Sequence, residues 1–324
     1  MIARYRSVIA SIALLGAAGA AAQDFPRKPI TVIVPFAAGG PTDTVARLLG
    51  VAMGKSLKTQ IVVENVGGAG GTIGAARVAK APPDGYTVLL HHIGQSTAPA
   101  LYRKLPYDAV ADFEPVGLVN EVPMTLVARK DFPPKDLKEL IAYVRANKDK
   151  VSYANAGLGA ASHLCGMLFM SAIDTDLTTV PYKGTGPAMN DLLGGQVDFM
   201  CDQTTNTTSQ IRAGKIKVYG VTTKARVPSL PDVPTLQEAG LPGFEVSVWH
   251  GLYAPKGTPP AVVAQLAKGL QDALKDATVK QRFAELGAEV APDSRATPAA
   301  LRTHLAAEIA KWGPIIRKAG VYAD

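Results

Sequence analysis

A chain of 324 residues with 47% hydrophobic and 19% charged side chains is long enough for two domains and buries a core without needing disulfides or metal, which excludes a mini-protein and a disordered chain. Its 31 glycines and 24 prolines follow no G-X-Y period and point to tight turns and to sites built from backbone. The net charge of +7 is scattered, at Lys55, Lys58, Arg77, Lys80, Lys135, Lys138, Arg212, Lys215 and Lys217 among others, and aromatic residues are only 6%, so a nucleic-acid partner is not expected.

At the start, Arg4 and Arg6 precede an apolar stretch from Val8 to Ala22 that closes on Ala20-Ala21-Ala22. That is the pattern of a cleaved leader over residues 1–22, and it is shorter than the roughly 20 apolar residues that span a bilayer. Without the two arginines the charge falls to a mild +5, and the mature chain is expected to be exported and soluble, with no cysteine at the cleavage point to carry a lipid.

From there, β-branched runs alternate with amphipathic helical patterns, which predicts an α/β fold with a mainly parallel sheet. Residues 30–35 read as a strand, 36–41 as a glycine-rich loop, and Val45, Leu48, Leu49, Ala52 and Met53 recur as one face of a helix starting at Thr42. A second unit follows: strand 60–64, glycine loop 67–71, helix 72–80, a turn at Pro82-Pro83-Asp84-Gly85 and strand 86–91. The middle repeats the plan with helix 137–147, strand 151–155, glycine loop 157–161, helix 162–172, strand 180–182, the turn Lys183-Gly184-Thr185-Gly186, helix 187–193 and strands 196–201 and 217–221. Two helices close the chain, one carrying Val262, Val263, Leu266, Leu270 and Leu274, the other Leu301, Leu305, Ile309 and Trp312. Extended apolar segments at 116–129 and 244–253 are placed where the chain crosses twice between two lobes, making a hinge. The expected division is a first lobe of 23–121 plus 248–324 and a second of 122–247.

In an open α/β sheet, ligands lie where strands end and helices begin. Glycines let the backbone approach a ligand, and the free N–H groups and partial positive charge of a helix start favour an anion. Phe36, Ala38, Gly39, Gly40 and Thr42 form one such place, with Asp43 expected to cap the helix; the bland alternative is a plain strand-to-helix turn. The second lobe repeats the chemistry at Gly157, Ala160, Ala161, Ser162 and His163, and again at Lys183, Gly184 and Thr185. Two anion-friendly helix ends in different lobes suit the two ends of a dicarboxylate. His92, Gln95 and Ser96, read as a donor-dense loop after a strand, and Asp202, read as following one, are further candidates. Each is equally well explained as a polar loop satisfying itself.

Other chemistries lack their parts. Gly50-Val51-Ala52-Met53-Gly54-Lys55-Ser56 is one residue short of a phosphate loop and ends a helix rather than opening one. Gly157-Leu158-Gly159-Ala160-Ala161-Ser162 misses the last position of the dinucleotide fingerprint, so no cofactor is expected. No G-x-S-x-G and no metal-ligand spacing among the five histidines occurs. A rival reading is an exported enzyme centred on Ser162, His163 and Asp202, and a third is a scaffold or adhesin. Cys165 and Cys201 are expected as two separate buried thiols, with a disulfide as the alternative.

The motif around residues 35–43, Val63-Glu64-Asn65 with the glycines 67–74, Pro83-Asp84-Gly85-Tyr86-Thr87, Val180-Pro181-Tyr182-Lys183-Gly184, Leu192-Leu193-Gly194-Gly195-Gln196-Val197-Asp198 and Ala254-Pro255-Lys256-Gly257-Thr258-Pro259 together resemble, in order along the mature chain, the Bug/TctC family. These are periplasmic receptors of tripartite tricarboxylate transporters. The resemblance implies a two-lobed Venus-flytrap fold, a monomer that closes on a small carboxylate held partly through water, and delivery to membrane permease subunits. The sequence departs from the commoner pattern at residues 91–96, at Cys165 and at residues 201–204. With the donor-rich His92, Gln95 and Ser96, the two anion-friendly ends favour an aromatic dicarboxylate such as terephthalate.

Overall fold

The computed structural model describes residues 25–320 and 322–323, so the leader reading lies outside the described residues. Strand β1 (Ile30–Val34) is buried on both faces, as a β-branched run between parallel neighbours should be, and pairs parallel with β2 (Ile61–Asn65) and β3 (Thr87–His92). Between β1 and β2 runs α1 (Pro41–Leu57), which buries Val45, Leu49, Ala52 and Met53 on the face its periodicity marks. α2 (Thr72–Ala79) connects β2 to β3.

The crossing segments are two long antiparallel strands. β4 (Phe113–Arg129) pairs with β9 (Ser247–Pro255) from Phe113 to Pro123, and from Met124 onward with β7 (Phe199–Gln203) and β8 (Ile216–Val221). β9 also pairs antiparallel with β3, and the short β10 (Glu289–Val290) with β4. β5 (Ser152–Asn155) lies parallel between β6 (Thr178–Pro181) and β7. The resulting order is β2-β1-β3-β9-β4-β7-β5-β6, a curled sheet covered by helices in two lobes. It is mixed rather than mainly parallel, because the chain passes between lobes on strands that must pair with both sheet halves, and an antiparallel return does that without a crossover helix.

Several boundaries move. Gln95 and Ser96, expected in a loop, lie in helix α3 (Gly94–Leu101), and Thr204–Arg212 is helix α7. The strand expected at 196–201 begins only at Phe199, after a turn in which Gly195 takes φ 73° and the Gln196 amide donates to the Asp191 carbonyl. Asp202 therefore stands inside β7 rather than after it. The remaining helices are α4 (Leu137–Ala146), α5 (Ala161–Ala172), α6 (Thr185–Leu193), α8 (Pro260–Lys275), α9 (Ala277–Glu285) and α10 (Pro298–Ala319). Among the described residues no helix is long and apolar enough to cross a membrane.

The two cysteines correct the expectation of separate thiols. α5 packs on β7 so that Cys165 and Cys201, both fully buried, meet with their Cα atoms 6.1 Å apart and form a disulfide. A sequence separation of 36 residues carries no sign of that approach. Closing a loop of this size removes enough denatured-state freedom to stabilise the fold by about 4 kcal/mol. Replacing both cysteines by alanine is expected to lower the unfolding free energy in urea by about that amount; an unchanged midpoint would exclude a structural contribution from the bridge.

Candidate functional site

Three helix beginnings and the end of β7 surround one small cavity. Its lining from the first lobe is Phe36, Pro41, Thr42 and His92; from the second it is Ala156, Ala161, Ser162, Thr185, Asp202 and Gln203. None of these is Lys or Arg. An anion here would be met by hydroxyls, an imidazole and backbone amides.

On the α1 side, Pro41 at the helix start and extended Gly40 as the N-cap leave Thr42 and Asp43 as orphan donors, since Thr44 is the first to bond back, to the Gly40 carbonyl at 3.0 Å. Asp43 does not cap. Its carboxylate accepts from the Gly39 amide at 3.0 Å, from Arg47 Nε at 2.9 Å and from Asn65 Nδ2 at 2.9 Å, which ties the loop to β2. Burial alone would raise its pKa, but these three donors outweigh burial and hold it below the usual carboxylate range. The Gly39 amide is thus spent within the chain, and Ala38 and Gly39 are exposed, off the cavity wall. Gly40 approaches Gly186 so closely that a Cβ would stand 3.3 Å from the Gly186 nitrogen.

On the second lobe, α5 opens at Ala160, and the Ser162 hydroxyl accepts from the Ala156 amide at 2.8 Å. Gly157 and Ala160 shape this loop without lining the cavity, and the Gly157 amide is held by Asn155 Oδ1 at 2.8 Å. His163 turns back to accept from the Gly159 amide at 3.3 Å, and burial lowers it to about 4, so it is neutral and off the wall. Lys183 is exposed and contributes its carbonyl, which accepts from the Ala37 amide at 2.8 Å, while Gly184 permits that approach and caps α6. Thr185, the first residue of α6, is on the wall.

The segment after β3 divides. His92 stacks on Phe36 at 4.5 Å, and the pair makes an aromatic wall of the cavity. Its Nδ1 accepts from the Gly94 amide at 2.9 Å, and burial depresses its pKa to about 3, which leaves a neutral ring with its hydrogen on Nε2. Gln95 and Ser96 face elsewhere: Gln95 Nε2 donates to the Ala109 carbonyl at 3.1 Å and Ser96 Oγ to the Ile93 carbonyl at 2.7 Å. Helix formation takes up the donors that a loop would have left free.

Asp202 is the one carboxyl on the wall. Burial pushes it up to about 6, against hydrogen bonds from Asn206 (2.6 Å), the Gln203 amide (2.8 Å) and Thr185. Beside it, Gln203 Oε1 is buried without a partner among the described residues. Pro41 and Ala156, which belong to the two expected glycine loops without being singled out there, and Gln203, the neighbour of Asp202, also line the cavity. His250 on β9 is unforeseen, with Nε2 3.2 Å from Thr42 Oγ1.

The lobes touch around this cavity. Tyr102 donates to the Leu158 carbonyl at 2.9 Å and Thr97 to the Gly159 carbonyl at 2.8 Å. Both bonds run from the α3 side to the loop before α5.

Residues 45–321 match the profile of the tripartite tricarboxylate transporter family receptor, TctC. The chain belongs to that family. It is 51% identical to the UPF0065 protein in the TAR-I ttuE-ttuC' intergenic region of Agrobacterium vitis, over 99% of this chain and 92% of that one. Among solved structures, the periplasmic binding protein BugD is 56% identical with TM-score 0.90, covering 92% of this chain and 99% of BugD. MatC from Rhodopseudomonas palustris with bound malate is 46% identical with TM-score 0.87, over 90% and 100%. An R. palustris protein with adipate is 34% identical with TM-score 0.86, over 92% and 99%. The two-lobed α/β binding-protein fold expected from the TctC-like motifs is the fold of this chain.

Proposed function

We propose that this TctC-family protein is a periplasmic receptor that captures a small dicarboxylate between its lobes, acts as a monomer, and delivers its cargo unaltered to the membrane permease subunits of a tripartite transporter. The observation that carries this reading is the convergence of helix starts from both lobes, at Thr42, Ser162 and Thr185, on one cavity without a cationic side chain. Unpaired N–H groups and helix dipoles suit carboxylate oxygens, and donors in both lobes make closure depend on the cargo. The lobes divide at 121/122 and 247/248, near the point where β4 passes from β9, its partner up to Pro123, to β7 from Met124. A disulfide fits an oxidising compartment outside the cytoplasm.

The preference for terephthalate drew on Gln95 and Ser96, whose donors are engaged inside the first lobe. The malate and adipate of the two relatives move a short aliphatic dicarboxylate to first place, with Phe36 and His92 walling its carbon chain. The enzyme reading loses its centre, because Ser162 accepts from Ala156, His163 from Gly159 and Asp202 from Gln203 and Asn206, three separate sets of partners.

A thermal-shift panel of malate, succinate, adipate, citrate and terephthalate, each beside its uncharged amide, tests the proposal. A dicarboxylate at a hundredfold its Kd is expected to stabilise the protein by about 2.7 kcal/mol, the amides by nothing. The acid should be recovered chemically unchanged. Product formation would favour the enzyme, and a flat response to all of them would favour a scaffold.

A further inference from the structure

Thr42 stands on the cavity wall at the first turn of α1, and the group behind it comes from the far end of the chain. Asn120 on β4 lies opposite His250 on β9 in the antiparallel ladder. The Asn120 amide meets His250 Nδ1 at 2.8 Å, and His250 Nε2 meets Thr42 Oγ1 at 3.2 Å. All three side chains are buried.

The same heavy-atom positions admit two directions of donation, and these differ in what Thr42 offers the cavity. In one, Nδ1–H donates to the Asn120 oxygen and Nε2 accepts the Thr42 proton. Thr42 then shows the cavity only lone pairs, and both hydrogens of Asn120 Nδ2, which has no other acceptor among the described residues, stay buried and unpaired. In the other, the amide is turned so that its NH2 donates to Nδ1, Nε2–H donates to Thr42 Oγ1, and the Thr42 proton is free for the cavity. The second direction pairs one of the two orphaned hydrogens and leaves the amide oxygen unpaired in their place, and a buried oxygen without a donor is the more tolerated orphan. It also gives His250 the Nδ1-accepting form that His91 and His92 adopt toward the amides of His92 and Gly94. Burial, with a smaller contribution from His92, keeps His250 well below the usual histidine range, so its ring carries one hydrogen and the direction is defined.

We propose that His250 is a positioning residue: the relay runs from Asn120 through His250 to Thr42 and presents the Thr42 hydroxyl as a fixed donor to a ligand oxygen. The ligand part rests on the carboxylate-receptor reading, whereas the direction of the relay does not.

Long-range proton–nitrogen spectra of the ligand-free, 15N-histidine-labelled protein, assigned with the His250→Gln variant, read the tautomer. The Nε2–H form is expected for His250; the Nδ1–H form overturns the proposal whatever the protein binds. Titration with malate, succinate and adipate then separates the two ring nitrogens, because glutamine places its amide near Nε2 and asparagine near Nδ1. His250→Gln is expected to keep affinity within about threefold, while His250→Asn loses about tenfold and loses nothing further in a Thr42→Ala background. Equal losses in both variants, or a loss that persists without Thr42, overturn the relay. If none of the five acids of the thermal-shift panel binds the native protein, the receptor reading fails and the tautomer still decides the relay.

Discussion

Lowering the pH from 7 to 5 is expected to weaken the fold by about 6 kcal/mol through its buried histidines. His91, His92 and His250 cluster against Phe36 with at most 3% of their surfaces exposed, and burial holds all three below the usual histidine range, with His163 lowered to about 4. The sign follows from which state takes up protons. Folded, these rings stay neutral; unfolded, they protonate near pH 6.5, so stability is full above that value and drains as pH falls toward the folded values. Each ring accounts for about 2 kcal/mol between pH 7 and 5. Asp202 works in the opposite sense, since its folded value of about 6 lies above its unfolded one and it gains a proton on folding in this window, returning about 1 kcal/mol. Urea midpoints at pH 7, 6 and 5 should fall by about 2 M in all. Equal midpoints at pH 7 and 5 would mean that the rings are protonated or solvated in the folded state.

The histidine cluster also marks where sequence reasoning stops. The β1–α1 unit was legible because both its periods are strong: five β-branched or aliphatic residues in Ile30–Val34, then apolar positions at helical spacing. The cavity wall at Thr42, Ser162 and Thr185 was legible for a related reason, since each follows a glycine-bearing turn and opens a helix. Helix α7 was not, because Thr204, Thr205, Thr207 and Thr208 are poor helix formers. Tertiary partners supply what propensity lacks: Thr204 donates to the Gly287 carbonyl, Thr208 to the Leu286 carbonyl, and Thr207 pairs with Thr125. Helix α3 hid behind Gly94 and Pro99 in the same way. Gln95 and Ser96 therefore read as free donors only as long as no helix was foreseen. The bond between Thr42 and His250 spans 208 residues, and the disulfide 36. No local pattern encodes either, since both are set by which strands become neighbours in the sheet.

Gly70→Ala is expected to lower dicarboxylate affinity by about three orders of magnitude, about 4 kcal/mol, by keeping the lobes apart. Gly70 sits at φ 60° in the glycine loop after β2, and a Cβ built there would stand 1.8 Å from the Leu158 carbonyl oxygen of the opposite lobe. That oxygen is backbone and already accepts from Tyr102, so it cannot swing aside as a side chain would. An alanine therefore leaves each lobe able to fold but blocks the approach that brings Ser162 and Thr185 to the same cargo as Thr42. Losing two hydrogen bonds to a charged group costs about 3–6 kcal/mol, which sets the size of the effect. The left-handed backbone makes its own demand, and Gly214 separates the two: it shares φ 60° but has nothing within 4 Å of its Cβ position. Gly214→Ala should then lose about 1 kcal/mol of stability and no affinity, whereas Gly70→Ala should lose both. Solution scattering in the presence of malate, succinate or adipate should show the native protein compact and Gly70→Ala extended. If Gly70→Ala binds the acid as tightly as Gly214→Ala does, contact between Gly70 and Leu158 is not part of the state that holds the cargo.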